Sequence, residues 1–504
     1  RDWSSDVCSS DLEIGPKYLW VSGSPNDPIS TGADKFTGSG HTASYTGVDL
    51  GTTFGSGWNA VTSGHPFIND TMGIAVPFAG GPLQPDADTI MNSPMSMDMS
   101  GTTYDNEALD AHYIAGDGRV NENIGLSSIH SVFHSEHNTV ASDIEDLLNN
   151  DPSVSAAFKA EWMNGSAFNG NRIYSAARWI TEMEYQHLVF GEFARKLSPH
   201  VNAFAGYNVT INPAITAEFA HAVYRLGHSM LTDTVDQLGF DPLTGLANGD
   251  TTDTMGLFDA FLNPNAYDPT NTAGQIALGM SRQTGNAIDE WVTDTLRNHL
   301  VGLPLDLATL NIIRGRDTGV YSLQHVRSDL YNQTGMAELK PYDNWLEFGQ
   351  NLLHPEALIN FVMAYARDNV LQTYGASHSL AEWNTLQQST SHEDILAYAD
   401  GLRAAATAAL ADTEFLFGNT DLDRVDFWLG GLAEVKVAGG MLGSTFDFVF
   451  ASQMQELQDG DRFYYLGRLA GTDLLRNIES QLFSDIVMRN TGVKHLYSDI
   501  FSVA

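Results

Sequence analysis

The segment AEFAHAVYRLGHSMLTDTV carries His221, Arg225 and His228. Spacings of four and three residues set the three on one face of a helix. A neutral imidazole there can ligate a metal or act as a base near neutral pH. Taken alone, a histidine on a helix is as a rule a surface or satisfied core residue, so partners decide the matter. Two other stretches supply them. In AGDGRVNENIGLSSIHSVFHSEHN, Arg119 and Glu122 stand three apart and lead into a helix. In LNIIRGRDTGV, Asn311, Arg314 and Arg316 follow an apolar run. The 16 histidines include no HExxH pair and no zinc-ligand spacing, and neither GxSxG nor a P-loop occurs.

The elements that must hold these residues are mainly helical. SIHSVFHSEHNTVASDIEDLL places Ile129, Val132, Phe133, Val140, Ile144 and Leu147 on one apolar stripe. NRIYSAARWITEMEYQHLVFGEFARKL reads as a second long helix. PAITAEFAHAVYRLGHSMLTDTV reads as a third, with Pro213 near its start. Further helical segments are expected near 280–299, 355–372, 393–416 and 473–489. Residues 13–105 are rich in Gly, Ser, Thr, Asp and Pro and read as loop. Convincing strands are few and no repeat is found, so the expected fold is all-α with long irregular N-terminal loops. The division is 1–12, 13–105 as the irregular part, and 106–504 as the helical body.

The first 12 residues, RDWSSDVCSSDL, carry the only cysteine, Cys8, and no apolar period. Asp2 to Leu12 back-translates in frame to a ligation adapter used in short-read sequencing. This stretch is expected to be a cloning or assembly scar, with native sequence lost ahead of Glu13. The remainder then has no disulfide. A balance of 25 Lys+Arg against 62 Asp+Glu gives a formal net charge of -37, which repels nucleic acid and anionic membranes. No apolar run reaches the ~18 residues of a membrane span.

AGDGRVNENIGL with SEHN, RLGHS and NIIRGRDTGV together resemble the animal-type haem peroxidases of the peroxidase–cyclooxygenase superfamily. ARWITEMEYQHLVFGEF and WLGGLAE, GGMLGSTF and QMQELQDGDRFYYL add to the likeness, which runs in order from about residue 107 to 500. The RGRDTGV form and the lack of cysteines resemble the bacterial branch. The resemblance implies haem b, with His228 as its proximal iron ligand and Asn311 accepting the other ring N–H. It implies Arg314 and Arg225 as partners of the haem propionates, and Arg119 as the distal cation. Glu122 matches the carboxylate that esterifies a haem methyl in many members; an ordinary acidic residue at a helix start fits it as well.

One departure stands out. The distal histidine of this family sits well upstream of the AGDGRVNE segment, beside an aspartate that supplies a second ester and a calcium ligand. Residues 13–105 contain no such pattern, since His41 and His65 have other contexts. The expectation is therefore a secreted peroxidase whose distal base and calcium loop lay ahead of Glu13, so that this chain binds haem yet turns over poorly. Its partners would be hydrogen peroxide and a small phenolic, halide or other donor, with no nucleic acid and no membrane span. Two alternatives are a fatty-acid oxygenase of the same superfamily and a non-catalytic adhesion or matrix protein retaining the scaffold. Cyclooxygenases place a radical-forming tyrosine three residues before the proximal histidine, where this chain has Arg225.

Overall fold

The computed structural model describes residues 118–241, 243–268, 272–298 and 306–502. It also gives the backbone of five short strands, Tyr18–Ser22, Val48–Asp49, Trp58–Thr62, Gln84–Pro85 and Tyr113–Ile114. Residues 1–12 and most of 13–105 lie outside the described residues. The described chain is mainly α-helical, as the periodicity predicts, and forms two compact units. Residues 1–185, 234–284 and 478–504 make the first; 186–233 and 285–477 make the second.

In the first unit the long helix is Ile124–Asn150. Asn123 caps it, its side chain accepting from Gly125 N at 2.7 Å and so satisfying an otherwise orphaned helix-start donor. Val140, Ala141 and Leu148 pack on Ile173 and Ala177 of the helix Gly170–Leu188. The predicted stripe holds except at its end, where Leu147 is 51% exposed and Leu148 takes the buried place. The slip follows from the helical angle, since neighbouring positions differ by about 100°. Thr234–Phe240 and Ala247–Gly256 form an antiparallel hairpin. The helix Thr272–Met280 lies on it so closely that a Cβ on Gly279 would meet Asp236 O at 2.3 Å, which requires glycine there.

A buried charge cluster joins three helices of this unit. Arg489, on the helix Phe483–Thr491, donates to both oxygens of Glu136, from Nε at 2.7 Å and from Nη2 at 2.6 Å. Nη2 also lies 3.5 Å from Glu184 Oε1. Glu136 and Glu184 are 1% and 4% exposed, so two carboxylates share one guanidinium out of water. Burial, then the charge of Glu136, push Glu184 up to about 8.

In the second unit the chain leaves Gly170–Leu188 through a π-helical turn, Val189–Ala194. The core is aromatic. Phe348 meets Phe361 edge-on at 5.1 Å, Phe427 meets Phe446 at 5.2 Å, and Trp345 stacks on Phe415. Buried Arg327, on the helix Leu323–Thr334, donates to Glu434 Oε1 at 2.8 Å and Thr445 Oγ1 at 2.7 Å. Its guanidinium also covers the Tyr342 ring at 4.1 Å. Leu358–Tyr365, Arg367–Tyr374 and His392–Ala411 bear out the helices expected near 355–372 and 393–416.

Two expectations need correction. The third helix does not run unbroken from Pro213: helix Ala217–His221 gives way to a 3-10 turn, Val223–Leu226, and then to Gly227–Met230. Ala222, at φ -130 and ψ -69, makes the break. The helix expected over 280–299 is confined, among the described residues, to Asp294–Asn298. Ahead of it Asp289 Oδ1 accepts from Trp291 N at 2.9 Å, a side-chain turn that competes with the helical ladder.

Candidate functional site

The site is built in the second unit by two short segments and one helix. Thr216 caps Ala217–His221 by accepting from Phe219 N at 3.3 Å. Phe219 is buried, with Tyr224 stacked on it at 5.1 Å, so the segment is pinned on its apolar side. The 3-10 turn then tightens the chain, and Trp428 Nε1 donates to Arg225 O at 3.4 Å. Such turns are common where a helix must re-aim side chains.

The helix Leu307–Asp317 is capped by Asp306, which accepts from Thr309 N at 3.0 Å. Asn311 and Arg314, three apart, face one side of it. Arg316 faces another and forms a fork with Asp426, at 2.9 Å and 2.6 Å. Tyr365 OH donates to the same carboxylate at 2.9 Å.

Asn311 is 1% exposed, and its Nδ2 lies 2.7 Å from His228 Nδ1. The predicted amide–imidazole pair is therefore present. Its polarity differs from expectation: the amide nitrogen faces the ring, and Oδ1 accepts from Arg225 Nη1 at 3.4 Å. In this orientation His228 Nδ1 is the acceptor and Nε2 carries the proton. A half-turn of the amide, which gives up the Arg225 hydrogen bond, makes Nδ1 the donor and leaves the Nε2 lone pair facing outward, as a metal ligand needs. Burial, then the Arg225 charge, hold His228 down to about 4, against the opposing Asn311 contact. At pH 7 the imidazole is neutral, the form that binds a metal.

The same cluster holds a residue that sequence reasoning placed on the face but gave no role. His221 Nδ1 is buried and has no hydrogen-bond partner among the described residues. Burial, then the charges of Arg225 and Arg314, lower its pKa. An orphaned ring nitrogen beside two guanidiniums suits an anionic group. A haem fits these residues: a neutral imidazole for iron, and a cationic cluster for the carboxylates.

Arg119 and Glu122 belong to the first unit. Arg119 lies in the 3-10 turn Gly118–Asn121, and its side chain is outside the described residues. The turn itself is firmly held. Asn121 Oδ1 accepts from Tyr113 N at 2.7 Å, and its Nδ2 donates to Tyr113 O at 2.9 Å. Ser127 Oγ donates to Val120 O at 2.6 Å. Glu122 is half-buried one residue before the Asn123 cap, and its carbonyl accepts from Leu262 N at 3.1 Å.

Known proteins resemble this chain over most of its length. The family model for the animal haem peroxidase matches residues 77–372 and 358–501. Mouse thyroid peroxidase is 27% identical over 408 residues, covering 78% of this chain and 35% of that protein. Peroxidasin homolog pxn-2 of Caenorhabditis elegans is 23% identical, covering 77% of this chain and 24% of that protein. The chain thus spans about a third or less of the length of these curated relatives. Among solved structures, peroxidase A of Dictyostelium discoideum aligns with a TM-score of 0.56 and 18% identity, over 90% of this chain and 76% of that one. A fatty acid alpha-dioxygenase of Oryza sativa aligns at 0.50 with 16% identity, over 90% of this chain and 68% of that one. These likenesses show a shared fold. With the family model matching most of its length, the chain belongs to the animal haem peroxidase family.

Proposed function

We propose that the chain is the haem-binding body of a peroxidase that reduces hydrogen peroxide and oxidises a small donor, phenolic or halide. The observation that carries this is the pair of His228 with buried Asn311, 2.7 Å apart, with Arg225 against the amide. Haem, when bound, supplies the redox chemistry at iron. His228 would hold the iron through Nε2, and Asn311 would fix the ring and its tautomer. An amide accepts less strongly than a carboxylate, so His228 would be a less basic ligand than one paired with aspartate. Arg225 and Arg314 would pair the carboxylate side arms. Arg119 would stabilise charge on the departing oxygen of peroxide. Glu122, half-buried after the Arg119 turn, would form an ester to a haem methyl, a C–O bond replacing a methyl C–H in a two-electron oxidation by peroxide.

We further propose an extracellular setting. A net charge of -37 disfavours nucleic acid and anionic membranes as partners. Among the described residues no helix is long and apolar enough to cross a membrane. Tyr224 is 65% exposed and stacked on Phe219, and Arg225 stands three residues before His228, so these two residues do not favour the radical-based oxygenase alternative.

The test is turnover after reconstitution with haemin, followed as peroxide-dependent oxidation of guaiacol and of iodide. His228→Ala should abolish it. Arg119→Ala should lower it by ~10²–10³-fold, the scale for losing one preorganised charge stabiliser. Haem binding with fatty-acid oxygenation and no peroxide-dependent turnover would contradict the proposal. Acid–acetone extraction that removes all haem would rule out the Glu122 ester.

A further inference from the structure

His221 has no assigned part in the haem site, yet its surroundings are unusual. It closes the segment Ala217–His221, which packs on the Leu307–Asp317 helix. That helix contributes Arg314 and Asn311, and the turn after His221 contributes Arg225. Asp426, a carboxylate that meets this helix, is taken by Arg316 and Tyr365. His221 Nδ1 is buried with no hydrogen-bond partner among the described residues. Leaving such a nitrogen unsatisfied costs free energy. That cost is removed by one event: a carboxylate entering beside His221, Arg225 and Arg314. Its two oxygens can accept from a guanidinium fork and from an imidazole N–H at once.

We propose that His221 is a third carboxylate-binding residue, presenting Nδ1–H to an anion held by Arg225 and Arg314. The inference rests on the haem reading for its main ligand, the carboxylate arm of a porphyrin. The same chemistry would also hold the head of a fatty acid, and the two sources are separable by experiment.

The probes are protoporphyrin IX, its dimethyl ester and octanoate. Metal-free porphyrins report carboxylate recognition without iron ligation by His228. Affinities come from quenching of intrinsic fluorescence, on wild type, His221→Leu and His221→Gln. Wild type should bind the free acid more tightly than the ester. His221→Leu should weaken the free acid by ~10-fold, the effect of one hydrogen bond to a charged group, and leave the ester unchanged. His221→Gln, which keeps a donor, should recover most of the loss. Equal weakening of acid and ester would mean that His221 only packs, and no change in either would also overturn the proposal. Competition by octanoate that depends on His221 would support the cradle and assign it to a fatty acid. If neither porphyrin bound wild type, the haem reading would fall. The cradle would then be decided by the His221 Nδ1 resonance in 15N spectra, which octanoate must shift if the proposal is right and would leave unmoved if it is wrong.

Discussion

Asn311 is the residue on which most depends. It touches His228 on one side and Arg225 on the other, and it is almost wholly buried. Asn311→Leu would strip both contacts while keeping the volume close. A buried ring nitrogen left without its partner costs ~1–3 kcal/mol, so thermal or urea unfolding should show a loss of that size. Asn311→Asp should do the opposite to the ligand. A carboxylate at Nδ1 makes the imidazole more basic, and the reconstituted haem should have a lower reduction potential than wild type in a spectroelectrochemical titration. The pairing was legible because NIIRGRDTGV and RLGHS could be set beside a known family. Amide polarity and the orphaned nitrogen of His221 were not, because both depend on atoms brought together across 83 and more residues of chain.

At the scale of elements, local periodicity succeeded where a helix packs one long face and failed where tertiary contacts interrupt it. Ile124–Asn150 was readable from its stripe. The break at Ala222 was not, because alanine is a strong helix former and nothing in the sequence marks a stop there. Its neighbour Phe219 is packed on Phe450, at 6.0 Å, and this contact helps to decide the path of the backbone. The hairpin of Thr234–Phe240 and Ala247–Gly256 was likewise not singled out, although Asp241-Pro242 in the sequence and Gly245, at φ 69, are turn signals between its strands.

The carboxylate pair in the first unit makes a pH prediction at this scale. Glu184 is raised in the folded chain, so its proton is held there and released on unfolding. Its stabilising effect is complete below the unfolded value near 4.5 and is lost as pH climbs to about 8. The charged groups that act on it are Glu136 from one helix and Arg489 from another; Asn490 donates to Glu136, and Asp485 acts on Arg489. Unfolding free energy of wild type should fall between pH 5 and pH 8 by ~2–4 kcal/mol more than that of Glu184→Gln. Parallel profiles for the two proteins would show that no proton is shared there. In the second unit, Arg327→Met should cost ~3–5 kcal/mol by stranding Glu434, measurable by urea denaturation.

For the molecule as a whole, charge is the dominant quantity. A formal net charge of -37 implies self-repulsion in dilute buffer, even though the site concentrates arginines. Salt shortens the reach of that repulsion to ~8 Å at physiological strength. The melting temperature should therefore rise as sodium chloride is added from low ionic strength; a flat or falling curve would mean that local ion pairs outweigh the net charge.

In the proposed function His228 holds the iron of a bound haem. This is tested most directly by replacing the ligand with a small molecule that can stand in for it. In His228→Gly, reconstituted with haemin and reduced, the iron–histidine stretch seen by resonance Raman in wild type should vanish. Added imidazole should restore a band of that kind together with the wild-type Soret position. A His228→Gly protein that kept the wild-type band without imidazole would show that another residue binds the iron, and the account of this site would be wrong.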